Sequence, residues 1–274
     1  MPDKRAVGAL TDYLNTQLNK IAAGDAGLRS GADPIHDTRV AIRRLRSTLR
    51  VFRTVLDDSP LGGMDDELKW FAGLLGEVRD CQVQTRRFGE ALDELPDTLV
   101  LGPVRSRIRN DLKAIELPAR ARVGEAMESE RYQDLMAVLR GWRADPPIDT
   151  RLTRKELRKR ATRARHKADR RLAQALKGSS DDLLHRARKA AKRARYAAEL
   201  TVPLDKHAKR VVKRYKHIQT VLGDHQDAVV ATDALRRLAT TAGTAPGENG
   251  FTYGLLYARE RQIARSSRKA VRRL

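Results

Sequence analysis

IHDTRVAIRRLRS, residues 35–47, and LHRARKAAKRARYA, residues 184–197, follow one pattern: a histidine, two residues, an arginine, then a basic cluster ending Arg-x-Arg. His36 and His185 stand 149 residues apart. A companion match follows each. LGEVRDCQVQ (75–84) aligns with LGDHQDAVVA (222–231), pairing Gly76 with Gly223 and Asp80 with Asp227 at a spacing of 147. A chance basic run would not repeat its companion in order at nearly the same offset. The matches point to a duplicated unit, with one copy at about residues 1–143 and the other at about 150–274, joined near Ala144–Asp149.

Spacings of three and four place residues along one face of a helix. In the first copy Ile35, Thr38, Ile42, Leu45, Leu49, Phe52 and Leu56 form an apolar seam suited to a bundle core. One position later run His36, Arg39, Arg43, Arg46, Arg50 and Arg53, rotated roughly 100° around the axis and so flanking the core. At about 1.5 Å per residue this cationic row extends on the order of 25 Å, enough to follow several phosphates of an extended polymer. The second copy repeats the scheme, with His185, Arg188, Lys192 and Arg195 beside a seam of Leu184, Ala187, Ala191, Ala194 and Ala198. Lys189 and Arg193 carry positive charge further around, and Tyr196 reads as a packing residue. The preceding stretch, 151–177, holds twelve Lys or Arg against Glu156 and Asp169, with Leu152, Leu157, Ala161, Ala164, Ala168 and Leu172 as its seam.

The whole chain fits an all-α reading. Long runs of Ala, Leu, Arg, Glu and Lys are interrupted at Gly31–Pro34, Ser59–Gly63, Leu95–Pro103, Ala144–Asp149, Gly178–Ser180, Thr201–Pro203 and Thr244–Gly250. Strand-like alternation is absent. Pro118 predicts either a kink or a boundary between two helices. With 41% hydrophobic residues in 274, the chain can bury a core, while 56 Lys and Arg against 35 Asp and Glu leave a net charge of +21. Such a surface attracts polyanions of any kind. Aromatic residues at 4% supply few platforms for stacking the bases of single-stranded nucleic acid. The single Cys81 permits no intramolecular disulfide and no cysteine-based zinc site, which fits a reducing cytoplasm. The N-terminal residues show no apolar signal core, and no run of about 18 apolar residues occurs, so neither secretion nor membrane spanning is indicated.

The paired His-x-x-Arg motifs, each followed by Leu-Gly and a later Asp, resemble the CHAD family, the conserved histidine α-helical domain. The match spans nearly the whole chain as one CHAD domain, residues 1–274. The resemblance implies two helical bundles related by pseudo-twofold symmetry around a basic central groove or pore that binds inorganic polyphosphate, and association with polyphosphate granules. Mapped onto this sequence, the implied polyphosphate ligands are His36, Arg39, Arg43, Arg44, Arg46 and Arg50 in the first motif, and His185, Arg188, Lys189, Lys192, Arg193 and Arg195 in the second. Arginine grips phosphate with a planar fork, whereas lysine supplies a compact charge that tolerates a sliding polymer.

Each histidine is equally well read as a helix-start residue making structural hydrogen bonds. No Cys or carboxylate follows either one at three or four residues, so metal ligation is not expected. Leu75-Gly76 and Leu222-Gly223 read as sites of close helix contact, with Asp80 and Asp227 orienting basic side chains. Glu77 and Asp224 lack a nucleophile or a phosphate-cradling glycine loop nearby, so the expectation is a binder without catalytic residues and without a cofactor. Two alternatives remain: a nonspecific nucleic-acid binder tracking a duplex backbone, and a helical scaffold for an acidic protein partner.

Overall fold

A computed structural model of the chain describes residues 3–57, 62–149, 151–178, 180–244 and 248–274. Among these the protein is all-α, with nine α-helices and no strand beyond an isolated antiparallel bridge between Leu56 and Ile148. The helices are α1 (Lys4–Arg29), α2 (Ile35–Phe52), α3 (Met64–Asp93), α4 (Val104–Glu128), α5 (Glu130–Ala144), α6 (Arg154–Lys177), α7 (Asp181–Thr201), α8 (Ala208–Ala242) and α9 (Phe251–Val271). None is long and apolar enough to cross a membrane.

The ends of these helices follow from local chemistry. Asp3 caps α1, its carboxylate accepting from the backbone N–H of Arg5 and Ala6 at 3.1 and 3.2 Å. Thr153 and Glu156 cap α6 reciprocally. At the end of α1, Gly31 takes φ +78° while Ala32 N–H donates to Gly27 and Gly31 N–H to Leu28. That is a Schellman turn, and it needs a residue at home in the left-handed region. The expected breaks at Gly31–Pro34, Leu95–Pro103, Ala144–Asp149 and Thr201–Pro203 all fall between helices or at a helix end. Residues 59–61, 179 and 245–247, which belong to three other expected breaks, lie outside the described residues.

Pro118 lies inside α4 and does not end it. Residues 114 and 118 are both exposed, so the Ala114 carbonyl that proline leaves without its helical donor is on the solvent side. The boundary comes at Ser129 instead, whose hydroxyl accepts from Tyr132 N–H at 3.3 Å and starts α5.

The chain forms two compact units, each assembled from two separate segments: residues 1–76 with 121–217, and 77–120 with 218–274. Helices α3, α4 and α8 each contribute residues to both. In the first unit α1 packs on α2 and α6 on α7, and α2 also meets α7. Every residue of the α2 seam and of the α7 seam is buried. On α6 the seam is looser: Leu157, Ala168 and Leu172 are buried, but Ala161 and Ala164 only half so. Phe71 stacks at 4.6 Å on Tyr132, whose hydroxyl donates to Asp25 at 2.9 Å.

The second unit has its own core of Phe88, Leu92, Val104, Ile108, Leu112, Leu235, Tyr253 and Leu256 with small alanines between them. Thr252 fastens the start of α9, accepting from Leu101 N–H at 2.9 Å and donating to the Leu99 carbonyl at 2.8 Å. Arg87 makes a two-pronged ion pair with Glu260, at 2.9 and 2.6 Å. Burial works against the Arg87 charge, but the Glu260 carboxylate outweighs it and holds the guanidinium pKa above its ordinary value.

Candidate functional site

All twelve basic residues singled out from the two motifs lie in the first unit, on α2 and α7. His36, Arg50 and Lys189 are exposed; Arg39, Arg43, Arg44, Arg46, His185, Arg188, Lys192, Arg193 and Arg195 are half-buried. Their placement follows from the helical period: with the seams in the core, the next position around each helix reaches the edge of the interface.

These side chains divide according to what they touch. Arg39 lies along α3, its Nε donating to the Ala72 carbonyl at 3.4 Å. A Cβ at Gly76 would stand 2.7 Å from Arg39 Nη2, so the missing side chain of the Leu-Gly motif makes room for this guanidinium. The close approach expected at Gly76 is that of an arginine side chain. Gly76→Ala is expected to displace the Arg39 guanidinium without unfolding the unit, because only the far end of a flexible side chain must give. Thermal denaturation should change by no more than a few degrees, an effect of about 1 kcal/mol.

Arg44 and Arg195 converge on one carboxylate. Glu199 accepts from Arg44 Nε at 3.2 Å, from Arg195 Nε at 2.8 Å and from the Tyr13 hydroxyl at 3.2 Å. Burial and the adjacent Glu199 charge push the Tyr13 pKa well above that of an ordinary phenol. Tyr196 is buried between the two arginines, 5.3 Å from Arg44 Cζ and 5.9 Å from Arg195 Cζ, as expected of a packing residue.

Arg46 and Arg50 converge on a second carboxylate, Asp65, in the first turn of α3. Asp65 accepts from Arg46 Nε at 3.1 Å and from Arg50 Nε at 3.0 Å. Burial opposes its ionisation, but the two arginines prevail and hold its pKa below the usual carboxylate value. A depressed carboxylate contributes stability above its unfolded-state pKa and loses it as pH falls through the folded one. Asp65→Asn is therefore expected to lower stability at neutral pH and to flatten the loss of stability below about pH 4. Urea melts of both proteins across that range check this.

Arg193 of α7 faces the same cluster. Burial and the charges of Arg50 and Arg46 lower its pKa, with Asp65 offsetting part of the effect. It stays charged at neutral pH, since an arginine starts far above that range. Beside it a cavity of about 290 Å³ is lined by Arg50, Val51, Arg160, Arg163, Ala164, Lys167, Ala190 and Arg193. Five cations from three helices meet there, with no carboxylate in the lining.

Arg160, Arg163 and Lys167 were not among the residues marked by the motifs. Their signal is in the sequence: each stands one place before a member of the α6 seam, Ala161, Ala164 and Ala168. The α2 row runs one place after its seam.

The comparisons with known proteins agree with this architecture. Residues 12–236 match the CHAD domain. An uncharacterized protein of Mycobacterium tuberculosis is 33% identical over 267 residues, covering 93% of this chain and 50% of the relative. The chain thus spans about half the length of the curated relatives it matches. Among solved structures, the CHAD domain from the plant Ricinus communis superposes with a TM-score of 0.70 at 26% identity, over 96% of this chain and 91% of that one. PptA from Streptomyces chartreusis shares the fold with a TM-score of 0.79 at 24% identity, over 97% of each chain. With its paired histidine-led basic helices and this match across most of its length, the chain belongs to the CHAD domain family.

Proposed function

We propose that the protein binds inorganic polyphosphate through the basic faces of α2 and α7. The observation that carries this reading is the packing of the two motif helices against each other within one unit. Among their cations, Arg44 and Arg195 converge on Glu199, and Arg46 and Arg50 on Asp65. Each carboxylate accepts from two arginines, so positive charge remains in excess. Arg43 adds to it, its Nε enclosed with no hydrogen-bond partner among the described residues. Phosphate oxygens satisfy such donors, and a linear polyanion satisfies many at once.

The order of elements supports a duplicated origin for this face. A motif helix stands second and a Leu-Gly helix third in each half, as α2 and α3, then α7 and α8. The division between units falls after Gly76 in the first half and after His217 in the second, close to the matching Gly223. We read the protein as a binder without catalysis of its own, located in the cytoplasm with polyphosphate granules.

Competition binding near physiological salt tests this. Labelled long-chain polyphosphate should be displaced by unlabelled polyphosphate and not by short duplex DNA at equal charge. Equal displacement by DNA would make the face a general polyanion binder. Arg43→Glu with Lys189→Glu should weaken polyphosphate binding by about a hundredfold, four units of charge having been exchanged, with helicity unchanged. These positions avoid Arg46 and Arg195, whose reversal would set a new carboxylate against Asp65 or Glu199. Unchanged affinity would overturn the assignment.

A further inference from the structure

The cavity between α2, α6 and α7 differs in kind from the motif rows. A row spaces its charges along one helix and suits an extended chain. Here Arg50, Arg160, Arg163, Lys167 and Arg193 approach one space of about 290 Å³ from three helices. Nearby Arg154 and Arg158 pair with Asp3 and Asp205, whereas Arg160, Arg163 and Lys167 make no ion pair among the described residues. Arg160 Nε is enclosed without a hydrogen-bond partner there. Asp65 of α3, whose charge reaches Arg193, is already held by Arg46 and Arg50. Val51, Ala164 and Ala190 line the space between the cations and carry no side-chain acceptor.

Convergent charge of this density favours the ligand group with the most charge in the least volume. Along a polyphosphate chain each internal phosphate carries one negative charge, while a terminal phosphate at neutral pH carries about two, its second ionisation lying near pH 6. A chain end also presents three oxygens to donors arriving from several directions, where an internal group presents two.

We propose that this cavity is a site for a terminal, doubly ionised phosphate group, the end of a polyphosphate chain or a free oligophosphate, with Arg160, Arg163 and Lys167 of α6 as ligands beyond the family motif. The inference rests on the polyphosphate reading for its natural ligand, but not for its chemistry. Arg50 belongs both to the α2 row and to the cavity, so a chain held by its end here has its next phosphates beside the row.

The test uses the full chain and three probes: tripolyphosphate, long-chain polyphosphate, and long-chain polyphosphate with both ends blocked as phosphoramidates. Calorimetry would compare the wild type with Arg163→Gln/Lys167→Gln, two exposed positions whose change leaves the core untouched, and separately with Arg193→Gln. Both variants are expected to lose tripolyphosphate affinity by about tenfold or more, the range for losing one or two charge-assisted contacts. End-blocked long chains are expected to bind wild type and α6 variant within about twofold of each other. Unchanged tripolyphosphate affinity in both variants would overturn the site. Equal weakening of end-blocked and free chains would overturn its preference for ends. If the wild type binds tripolyphosphate but no long chain, and the variants lose it, the cavity stands while the polyphosphate function falls.

Discussion

Truncating Arg87 to alanine is expected to destabilise the second unit by about 3 kcal/mol, toward the lower end of what is lost when one partner of a buried ion pair is removed. Glu260 is only 1% exposed, and without Arg87 its carboxylate would lose both short contacts in a place water does not reach. Arg259 Nη1, 3.6 Å from the same carboxylate, limits the loss without replacing the two-pronged geometry. Replacing both partners with apolar residues of similar size, as in Arg87→Met/Glu260→Leu, is expected to recover most of the stability, because no buried charge is then left uncompensated. Chemical denaturation of the wild type and the two variants checks the pair. Equal losses in the single and double variants would show that the ion pair, and not the desolvated carboxylate, sets the stability.

The second large effect is expected at Gly24, where α1 crosses α2. A Cβ there would lie 2.0 Å from Thr38 Oγ1 and 2.8 and 2.9 Å from its Cγ2 and Cβ. Thr38 cannot readily turn aside: its side chain is β-branched, 1% exposed, and its hydroxyl donates to the Pro34 carbonyl at 2.9 Å. Gly24→Ala must therefore separate the two helices or rotate Thr38 into occupied space. Overpacking of this kind costs about 3 kcal/mol, well above the roughly 1 kcal/mol of helix propensity that alanine gains over glycine. Gly73, exposed within α3 with open space where its Cβ would go, is the control. There the same change should stabilise by about 0.5–1 kcal/mol. Thermal melts that move both variants in the same direction would contradict the packing described at the α1–α2 crossing.

The seams of α2 and α7 were legible because apolar residues at spacings of three and four have one physical solution: turn inward together. The rows beside them were legible for the same reason. What the rows do was less legible, because charge partners come from distant parts of the chain. Nothing near Arg46 announces Asp65, nineteen residues on, and nothing near Arg44 announces Glu199, 155 residues on. The α6 side of the cavity escaped notice because its helix is basic nearly all round. In such a helix only packing shows which cations converge and which merely face solvent. Whether the helix ends at Pro118 stayed open in the sequence for a simpler reason. Proline breaks a helix where its missing N–H and its ring cannot be accommodated, and on the exposed side of α4 they are, whereas Ser129 ends it through a cap that composition scarcely marks.

Because each unit is assembled from two separated stretches, the order in which the chain is synthesised matters. As α1 and α2 emerge from the ribosome they can pair with each other, but α2 also needs α6 and α7, more than a hundred residues later. The second unit lacks α9 until the final stretch of this chain is made. For much of translation, then, the nascent protein exposes apolar seams whose partners do not yet exist, the situation in which chaperones are engaged and aggregation begins. Cutting the chain at the middle would not yield two smaller folded proteins, since a break between α5 and α6 divides both cores at once.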